Sequence, residues 1–469
     1  MHTSTTSTVP LEPWTAQQLE QATQGHWHNG KVPQGDIKLV LTDSRDAEKG
    51  DVFLALKGER FDAHDFVIKV AEQGCEIAIV SHPVDADICQ LVVADTRLAL
   101  GHLGAFRRAK NSQLKVIALT GSSGKTTTKE MLGSILSRIA PTLITRGNLN
   151  NDLGVPMMLL ELRAEHQYAV MELGASHQGE IDYTSNLVQP HVAGIINIGT
   201  AHLGEFGGRD GICSAKSEIY AHIAQDGTSI TPEADDFADD IRKAVQTKNT
   251  LSFGLGGDIF ATDIQLQAQS STFTLNTPQG NKTIHLPFAG EHNVQNATAA
   301  TAFALSIGIA LEDIVIGLEQ ATGAKGRLNF IQYKKHLFID DTYNANPTSM
   351  RAAAEVLAQQ EGIRVMVIGD IGELGATAAQ QHYMLGRDLV STKGVNFVVA
   401  VGEFAPASQE GARSTQYGKK FQAFLTQAQA LPFLIGLVET HQPQSMSFLF
   451  KGSRYTHMET LMADLMEKL

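Results

Sequence analysis

The segment Thr120 to Thr128, TGSSGKTTT, constrains the fold more than any other feature of the chain. It directly follows KVIALT, which has the pattern of a buried strand, and it opens a segment of helical periodicity up to about Ile139. Glycines let a backbone wrap closely around phosphate oxygens, and the N–H groups and dipole at a helix start attract anions. This succession of strand, Gly-rich loop and helix therefore predicts a site for nucleotide phosphates. The alternative is a Gly/Ser-rich turn that only caps the helix.

The spacing within this loop is unusual. Two residues separate Gly121 from Gly124, where the common P-loop has four between its glycines. Lys125 follows where it can neutralise the β- and γ-phosphates of ATP, and the Thr126 hydroxyl can bind Mg²⁺. The predicted ATP-binding residues of the loop are Gly121, Ser122, Ser123, Gly124, Lys125, Thr126 and Thr127.

Three further side chains are candidates for the same site. Glu172 closes the apolar segment YAVMEL, and His202 follows the strand-like segment INIGT, so both lie where a parallel sheet collects ligands. Glu172 is suited to hold a metal and His202 to bind a second one, while the alternative for each is an ordinary loop residue. From the residues alone, Lys216 in the segment CSAKSEIY is interpreted as a solvent-exposed lysine on a helix.

Two polar clusters lie further away along the chain. Asp340 and Asp341 end a strand-like segment in FIDDTYNANPTSM, where a carboxylate can accept hydrogen bonds from a ribose, unless the cluster is only a turn and a helix cap. Arg327, in the segment GAKGRLN, can reach a nucleotide phosphate between two domains. Ser44 and Arg45, in the segment LTDSR, follow a strand. Such a pair could bind a nucleotide or diphosphate, but this pattern alone is more typical of a capped turn.

Changes of pattern divide the chain into three predicted α/β domains. Residues 1–113 combine short strands with helical segments and end in the polar run RRAKNSQ. Residues 114–326 predict a doubly wound parallel sheet around the phosphate loop, with extra β-hairpins between about Leu251 and Phe288, where apolar and polar residues alternate. Residues 327–469 alternate strands and helices and predict a Rossmann-like domain, joined through the linker around GAKGRLN.

Composition excludes several classes of protein. The net charge of -13 argues against a nucleic-acid-binding surface. The three cysteines are widely spaced, which favours free thiols in a reducing compartment. We find no signal peptide and no apolar run long enough to span a bilayer, so we expect a soluble, cytoplasmic protein without a membrane partner. Nothing demands an oligomer, and a monomer is expected.

Seven segments resemble the Mur ligase family in their order and spacing: TGSSGKTTT, TRGNLNNDLGVP, VMELGASHQGEI, INIGTAHL, AKSEI, GEHNVQNATAA and DDTYNANPTSM. The resemblance covers essentially the whole chain, and the short phosphate loop is typical of the family. The segments IGDIGELG and FKGSR resemble one branch, whose members add D-alanyl-D-alanine to UDP-N-acetylmuramoyl-tripeptide. Glu291 in GEHN departs from the arginine that this branch often carries, which leaves any contact from that side chain open.

The resemblance implies an ATP-dependent amide ligase of cytoplasmic peptidoglycan precursor synthesis. ATP would phosphorylate the terminal carboxylate of the UDP-linked tripeptide, and the amine of D-alanyl-D-alanine would attack the acyl phosphate. Two Mg²⁺ ions and a Lys216 carbamylated by CO₂ are implied as well, which reverses the interpretation of Lys216 as a solvated lysine. The implied catalytic residues are Lys125, Glu172, His202 and Lys216, and the implied metal ligands are Thr126, Glu172, His202 and the carbamate of Lys216.

The remaining implied contacts lie on all three domains. Asn296 and Asn293 would contact adenine, while Arg327 and Asp341 would close on the nucleotide from the linker and the third domain. The implied substrate-binding residues are Ser44 and Arg45 for the UDP end, and Asn148, Asn150 and Asn151 along the path of the sugar-peptide.

Other functions remain open at this point. A related ligase that adds another amine is the nearest, such as the Mur ligase of the third peptide residue or folylpolyglutamate synthase. The former usually carries an Asp-Asn-Pro-Arg signature where this chain has YNANP and KGSR, and the latter lacks a UDP-binding first domain of this kind. An ATPase switch would need no cluster of Glu172, His202 and Lys216, and a small-molecule kinase would lack the acidic strand end of the third domain.

Overall fold

The computed structural model describes residues 10–58, 61–200 and 203–469. Within them, the N-terminal region forms a five-stranded sheet of strand order β1-β5-β4-β3-β2. Strands β2 to β5 run parallel, and β1 is antiparallel to β5. The elements are α1 (Ala16–Thr23), β1 (His26–Trp27), β2 (Val40–Leu41), β3 (Val52–Leu54), α2 (Val67–Glu72), β4 (Ile77–Val80), β5 (Cys89–Val92) and α3 (Thr96–Lys110).

The polar run RRAKNSQ lies between this region and the next, and its first residues are helical. It continues α3 as far as Lys110. Arg107 is buried in that last turn, with its guanidinium 4.6 Å from the ring centroid of Trp14 and a 2.8 Å hydrogen bond donated to the Glu12 carbonyl. The aromatic ring and the carbonyl compensate the charge, so this basic residue of the polar run lies inside a packed helix.

The central region contains a six-stranded parallel sheet of order β11-β10-β9-β6-β8-β7. This agrees with the predicted doubly wound sheet. The elements are β6 (Lys115–Thr120), α4 (Lys125–Ser137), β7 (Thr142–Ile144), α5 (Gly154–Leu160), β8 (Tyr168–Glu172), α6 (Glu180–Val188), β9 (Val192–Ile195), α7 (Arg209–Ser217), β10 (Thr228–Pro232), α8 (Ala238–Ala244) and β11 (Asn249–Phe253).

Strand β6 explains why KVIALT is apolar throughout. Ile117 and Leu119 belong to one hydrophobic cluster, and Val116 and Ala118 belong to another. Successive side chains of a strand point to opposite faces, so helices cover both faces of the sheet. The strand that leads into the phosphate loop is thus held rigidly in the middle of the molecule.

A three-stranded antiparallel sheet follows the central one, with the order β12-β13-β14. Its inward residues, such as Phe273 and Ile284, join the hydrophobic cluster that also contains Ile117. The predicted β-hairpins therefore pack on the central region. The elements are β12 (Phe260–Leu266), β13 (Ser271–Thr277), β14 (Gly280–Leu286), α9 (Glu291–Ser306) and α10 (Leu311–Glu319).

The C-terminal region is a six-stranded sheet of order β15-β16-β20-β17-β18-β19. All its pairs are parallel except β15 with β16. The last strand in the chain, β20, inserts between β16 and β17. The elements are β15 (Asn329–Tyr333), β16 (His336–Asp341), α11 (Pro347–Ala358), β17 (Ile363–Gly369), α12 (Ala378–Ser391), β18 (Phe397–Val401), α13 (Ala405–Arg413), β19 (Phe421–Phe424), α14 (Gln427–Thr440), β20 (Met446–Lys451) and α15 (Met458–Lys468).

No helix in the described part of the chain combines the length and the apolar composition that a bilayer crossing requires.

Helices α12 and α13 approach each other closely through two glycines. A Cβ atom on Gly386 would lie 1.9 Å from the carbonyl oxygen of Ser408, and one on Gly411 would lie 1.8 Å from that of Tyr383. Both obstacles are backbone atoms, so they cannot move aside without separating the helices.

We expect Gly386→Ala to lower the midpoint of thermal unfolding, followed by circular dichroism, because overpacking of this kind costs about 1–3 kcal/mol. Gly436→Ala on α14 is the matched control, since a Cβ there meets nothing within 4 Å. Alanine has a higher helix propensity than glycine, so the unfolding midpoint of Gly436→Ala should stay unchanged or rise. An unchanged midpoint for Gly386→Ala would contradict the close helix contact.

Candidate active site

A cavity of about 590 Å³ lies between the central and C-terminal regions. Its walls come from the loop before α4, the end of β9, the start of α9, the linker before β15 and the carboxyl ends of β16 and β20. The predicted ATP-binding residues that line it are Ser122, Ser123, Gly124, Lys125, Thr127, Asn293, Asn296, Arg327 and Asp341. Tertiary structure therefore gathers residues more than 200 positions apart into one space.

The phosphate loop depends on glycine at one position. Gly124 has φ +78° and precedes the first residue of α4, and a Cβ there would lie 2.2 Å from Asn296 Oδ1. A left-handed backbone conformation is costly for residues other than glycine, and the Asn296 side chain on α9 leaves no room for a Cβ atom at this position. The glycine thus sets both the turn and the close approach of α9 to the loop.

Asn197, which follows β9, braces this loop from the neighbouring strand. Ser123 N donates to Asn197 Oδ1 at 3.0 Å, and Asn197 Nδ2 donates to Ser123 O at 3.0 Å. The paired bonds hold the peptide on both sides of Ser123. Nearby, the hydroxyl of Ser122 is buried without a hydrogen-bond partner and lines the cavity, so it remains available to a polar ligand.

Lys125 begins α4 and folds back over the loop. Its Nζ donates to the Gly121 carbonyl at 2.7 Å. Burial lowers the pKa of Lys125, while the carboxylate of Glu172 opposes this and the guanidinium of Arg327 adds to it. A cation held at the mouth of the loop suits an anionic ligand, which would supply the negative charge that the site lacks.

A hydrogen-bond chain runs across the carboxyl edge of the central sheet. Asn150 Nδ2 donates to Glu172 Oε1 at 2.8 Å, and Thr126 Oγ1 donates to Glu172 Oε2 at 3.0 Å. Glu172, at the end of β8, is 2% exposed. The alternative of a surface-loop glutamate is therefore wrong, and Asn150 belongs to the surroundings of this carboxylate.

The linker arginine extends the same chain. Arg327 Nη2 donates to Thr126 Oγ1 at 3.0 Å, and its guanidinium lies 4.5 Å from the ring centroid of Tyr343. Because the ring and the hydroxyl fix the guanidinium, Arg327 connects the segment between the two regions to the phosphate loop.

Asp341 ends β16 at the opposite wall of the cavity. Its Oδ2 lies 2.7 Å from Lys451 Nζ at the end of β20, and its Oδ1 accepts the backbone N–H of Leu328 at 3.2 Å. The ammonium of Lys451 also donates to the Asn344 carbonyl at 3.0 Å. These bonds orient an acidic side chain at the strand end, where the sequence predicted one.

Asn293 and Asn296 lie on the first turns of α9 and are both buried. Asn296 Nδ2 donates to Asn293 Oδ1 at 3.0 Å, and Asn293 Nδ2 donates to the Ala289 carbonyl at 2.8 Å. The carboxamides are thereby held in one orientation on the cavity wall.

The interpretation of Lys216 as a solvent-exposed helix lysine, made from the residues alone, is wrong. Lys216 lies on α7 and is 2% exposed. Burial lowers its pKa well below the usual lysine range, and the charge of Lys125 contributes to the shift. A lysine whose neutral amine is favoured in this way can act as a nucleophile toward a small electrophile.

Five predicted residues of the site do not line the cavity, namely Gly121, Thr126, Asn150, Glu172 and Lys216. The remaining predicted residues are not brought to the cavity either. Arg45 is exposed and pairs with Asp43, whose side chain also accepts the Arg45 backbone N–H at 2.9 Å, as in the capped-turn alternative. Asn151 Oδ1 accepts the Gly154 N–H at the start of α5. Ser44 is half-buried and Asn148 is exposed, away from the cavity lining. His202 lies outside the described residues.

The donor atoms fit Mg²⁺ better than a softer metal. Among the described residues, no three His, Cys, Asp or Glu side chains group into a metal site. The Thr126 hydroxyl and the Glu172 carboxylate offer hard oxygen atoms beside the phosphate loop. Mg²⁺ is commonly held by one or two such ligands together with substrate phosphates and water, so the residues present are compatible with it.

Sequence reasoning missed three residues of the site. Asn197 stands two residues after β9, Lys451 ends β20, and Tyr343 follows Asp341 in the segment DDTYNANP. A polar residue at a strand end is a usable signal for the first two. Nothing in the sequence places β20 next to β16, so the pairing of Lys451 with Asp341 was not predictable.

Three family models match the chain: the Mur ligase family catalytic domain at residues 36–118, the middle domain at residues 119–304, and the glutamate ligase domain at residues 326–454. The UDP-N-acetylmuramoyl-tripeptide--D-alanyl-D-alanine ligase of Escherichia coli (strain K12) is 41% identical over 445 residues, which cover 94% of this chain and 96% of that protein. This chain belongs to the Mur ligase family.

Solved structures agree with this assignment. The crystal structure I of MurF from Acinetobacter baumannii is 73% identical to this Mur ligase, with a TM-score of 0.95 and coverage of 98% of this chain and 100% of that one. MurF ligase from Thermotoga maritima, solved in complex with ADP, is 28% identical with a TM-score of 0.81 and coverage of 92% and 97%. The predicted family, the three-domain α/β fold and the ATP-dependent ligase activity are confirmed.

Asn197→Ala should weaken ATP binding to this Mur ligase, because both braces on the Ser123 peptide are lost while Lys125 and Thr126 remain. Lost hydrogen bonds of this kind cost about 1–1.5 kcal/mol, which corresponds to a roughly tenfold rise in the dissociation constant of a non-hydrolysable ATP analogue. Isothermal titration calorimetry measures this dissociation constant. Asn249→Ala, at the exposed first residue of β11, is the control that should bind as the unmodified protein does. Equal affinity in both variants would contradict the bracing role.

Proposed function

We propose that this Mur ligase joins UDP-N-acetylmuramoyl-tripeptide to D-alanyl-D-alanine and converts ATP to ADP and phosphate. The observation that carries the proposal is the similarity along the full length to proteins named for this reaction, at 41% identity to the E. coli ligase. The segments IGDIGELG and FKGSR, which resemble the same branch, support it. Peptidoglycan precursor synthesis is the process in which this reaction belongs.

The chemistry requires an activated carboxylate. A free carboxylate is a poor electrophile, so an amide does not form from it directly at neutral pH. Transfer of the γ-phosphoryl group of ATP to the tripeptide carboxylate gives an acyl phosphate, and the dipeptide amine then attacks its carbonyl carbon. The C–N bond forms as the C–O bond to phosphate breaks, so the protein contributes mainly orientation and charge neutralisation.

We assign the phosphate half of the reaction to the loop before α4. Residues 121–127 hold the phosphates through backbone N–H groups, and Lys125 neutralises the β- and γ-phosphoryl oxygens. Thr126 and Glu172 hold one Mg²⁺ and His202 helps to hold a second, which reduces the repulsion between phosphoryl oxygens. The 3.0 Å bond between Thr126 and Glu172 supports the shared site.

The nucleoside half involves the other walls of the cavity. Asn293 and Asn296 contact adenine, while Arg327 and Asp341 act from the linker and the C-terminal region. The bond from Arg327 to Thr126 supports this, since it connects the linker with the phosphate loop. All these groups belong to one chain, so we propose that a monomer is sufficient for the reaction, and that it takes place in the cytoplasm.

The sugar-peptide substrate is assigned to the first region and its border with the second. Ser44 and Arg45 hold the UDP end, and Asn148, Asn150 and Asn151 line the path toward the reacting carboxylate. The contact of Asn150 with Glu172 supports a path that ends beside the metal ligand. In this proposal residues 1–113 bind the UDP-sugar-peptide, residues 114–326 bind ATP, and residues 327–469 complete the site.

An amine-dependent phosphate-release assay tests the function. With Mg-ATP and UDP-N-acetylmuramoyl-tripeptide, we expect D-alanyl-D-alanine to stimulate phosphate release severalfold or more over the rate without amine. L-glutamate and meso-diaminopimelate serve as competing amines. Stimulation by one of these and not by the dipeptide would overturn the branch assignment, and release that ignores all amines would favour an ATPase switch.

We further propose that the Lys216 amine is carbamylated. A carbamate forms from a neutral amine and CO₂, and the burial that lowers the Lys216 pKa favours the neutral form. The modification replaces the neutral amine beside Lys125 with an anion and releases one proton, and the carbamate would attract the Lys125 cation and offer an oxygen ligand for the second metal ion.

Lys216→Ala should abolish turnover, and high bicarbonate should not restore it. An independent readout is a ¹³C NMR carbamate signal after incubation with ¹³C-bicarbonate, which should be present in the unmodified protein and absent from Lys216→Ala. Lys129→Ala is the control, because Lys129 is a buried lysine of α4 already paired with Glu130, and its variant should retain the signal. Full activity in Lys216→Ala, or an identical NMR signal, would refute the carbamate.

A further inference from the structure

The central sheet opens between β9 and β10 at its carboxyl edge. Residues 228–230 of β10 pair with residues 192–194 of β9. Beyond these pairs, β9 stays paired with β6 through Ile195, and β10 stays paired with β11 as far as Pro232. The two strands therefore separate from each other, while each remains fixed in the sheet on its other side.

The hydroxyl of Tyr220 occupies the point where the strands separate. Ile195 N donates to Tyr220 Oη at 3.3 Å, and Tyr220 Oη donates to the Ile230 carbonyl at 2.8 Å. One hydroxyl thus provides partners for a buried N–H of β9 and a buried carbonyl of β10. Tyr220 is 2% exposed, and burial raises the pKa of its phenol, so the group stays protonated and able to donate.

The chain leaves both strands directly into the cavity wall. Residues 196–200, which follow β9, line the cavity, and so do Pro232, Ala234 and Asp235 at the end of β10. Ile198 N donates to Asp235 Oδ2 at 2.8 Å, which joins the two segments again at the rim. The Tyr220 hydroxyl therefore lies at the base of a gap whose two sides carry cavity residues.

The helical segment that contains Tyr220 is attached to the β9 side of this gap at both of its ends. Residues 209–220 comprise α7 and the helical turn that continues it. At the start of the segment, Arg209 Nη2 donates to the Ile198 carbonyl at 2.8 Å. At its end, Tyr220 accepts the Ile195 N–H. The segment therefore cannot shift along the sheet without breaking one of these bonds.

Lys216 lies between the two attachments. It precedes Tyr220 by four positions, so the two buried side chains lie on the same side of the helical segment. Asn197, which follows β9, braces the phosphate loop through Ser123. The same stretch of chain, residues 195–198, therefore holds both the segment of Lys216 and the phosphate loop.

A carbamate on Lys216 depends on the placement of the amine. An anion in a buried position is costly unless positive charge or hydrogen bonds compensate it. The charges of Lys216 and Lys125 interact, so the Lys125 cation is available for this compensation. Displacement of the α7 segment would weaken the attraction and thereby the equilibrium that forms the carbamate.

We propose that Tyr220 is a positioning residue of the ligation reaction, whose hydroxyl fixes the helical segment of Lys216 to the chain that supports the phosphate loop. The proposal rests on the ligase function and the Lys216 carbamate proposed above. Tyr220 is not among the residues that line the cavity, so it acts through Lys216 and not on a substrate.

Tyr220→Phe tests the proposal, because it removes the hydroxyl and keeps the ring. The readout is a titration of the protein with ¹³C-bicarbonate, followed by the NMR carbamate signal in the absence of substrates. We expect Tyr220→Phe to need a roughly three- to tenfold higher bicarbonate concentration for half of the maximal signal, the loss typical of one neutral hydrogen bond.

Turnover gives a second readout. At low bicarbonate, kcat of Tyr220→Phe should fall by about the same factor, and high bicarbonate should restore most of it. Lys216→Ala should gain nothing from bicarbonate, so the rescue separates a displaced lysine from a missing one. A purely structural role of Tyr220 would lower the midpoint of thermal unfolding without a loss that depends on bicarbonate, and that result would overturn the proposal.

Tyr183→Phe is the matched control, because it makes the same change at a half-buried tyrosine of α6 whose hydroxyl contacts α3. Its bicarbonate titration should equal that of the unmodified protein. Arg209→Met releases the other attachment of the segment and should shift the titration in the same direction as Tyr220→Phe. This second variant keeps the test valid if Tyr220→Phe does not fold.

The proposal is also overturned if Tyr220→Phe titrates as the unmodified protein does, or if Tyr183→Phe shows the same shift. Absence of a carbamate signal in the unmodified protein would refute the carbamate and this role of Tyr220 together. Absence of phosphate release stimulated by the dipeptide, with the carbamate signal present, would refute the ligase function instead, so the failures are distinguishable.

Discussion

A buried carboxylate at the end of β8 organises the centre of this molecule. Glu172 accepts hydrogen bonds from Asn150 and Thr126, and Thr126 in turn accepts one from Arg327 of the linker. Burying a carboxylate is costly unless hydrogen bonds or cations compensate its charge. Each donor comes from a different segment, so satisfying this one group also joins the phosphate loop, the segment before α5 and the linker.

The same arrangement explains why two domains share one cavity. The phosphate loop stands on a strand packed on both faces, while Arg327 and Asp341 belong to the linker and to a sheet with hydrophobic clusters of its own. The contacts that cross between them include the hydrogen bond from Arg327 to Thr126 and the one from Asn346 to the Ser122 carbonyl. Substrates that bridge such an interface can assemble the catalytic groups as they bind.

Particular elements show how far the sequence could be read. KVIALT predicted β6 because a strand buried on both faces is apolar at every position, and the glycines before Lys125 predicted the turn into α4. Lys216 shows the limit: its segment has helical character with polar neighbours, which is compatible with solvent or with burial. Only the packing of α7 against the central sheet gives it 2% exposure.

The sequence by itself determined the local units: the phosphate loop, the strands with their periodicity, and the polar residues at strand ends. Local backbone preferences and side-chain spacing are sufficient for these, because they depend on neighbours within a few positions. Tertiary structure alone decided which strand ends meet. The insertion of β20 between β16 and β17 brought Lys451 to Asp341 and joined IGDIGELG to FKGSR, through long-range strand pairing that no local pattern encodes.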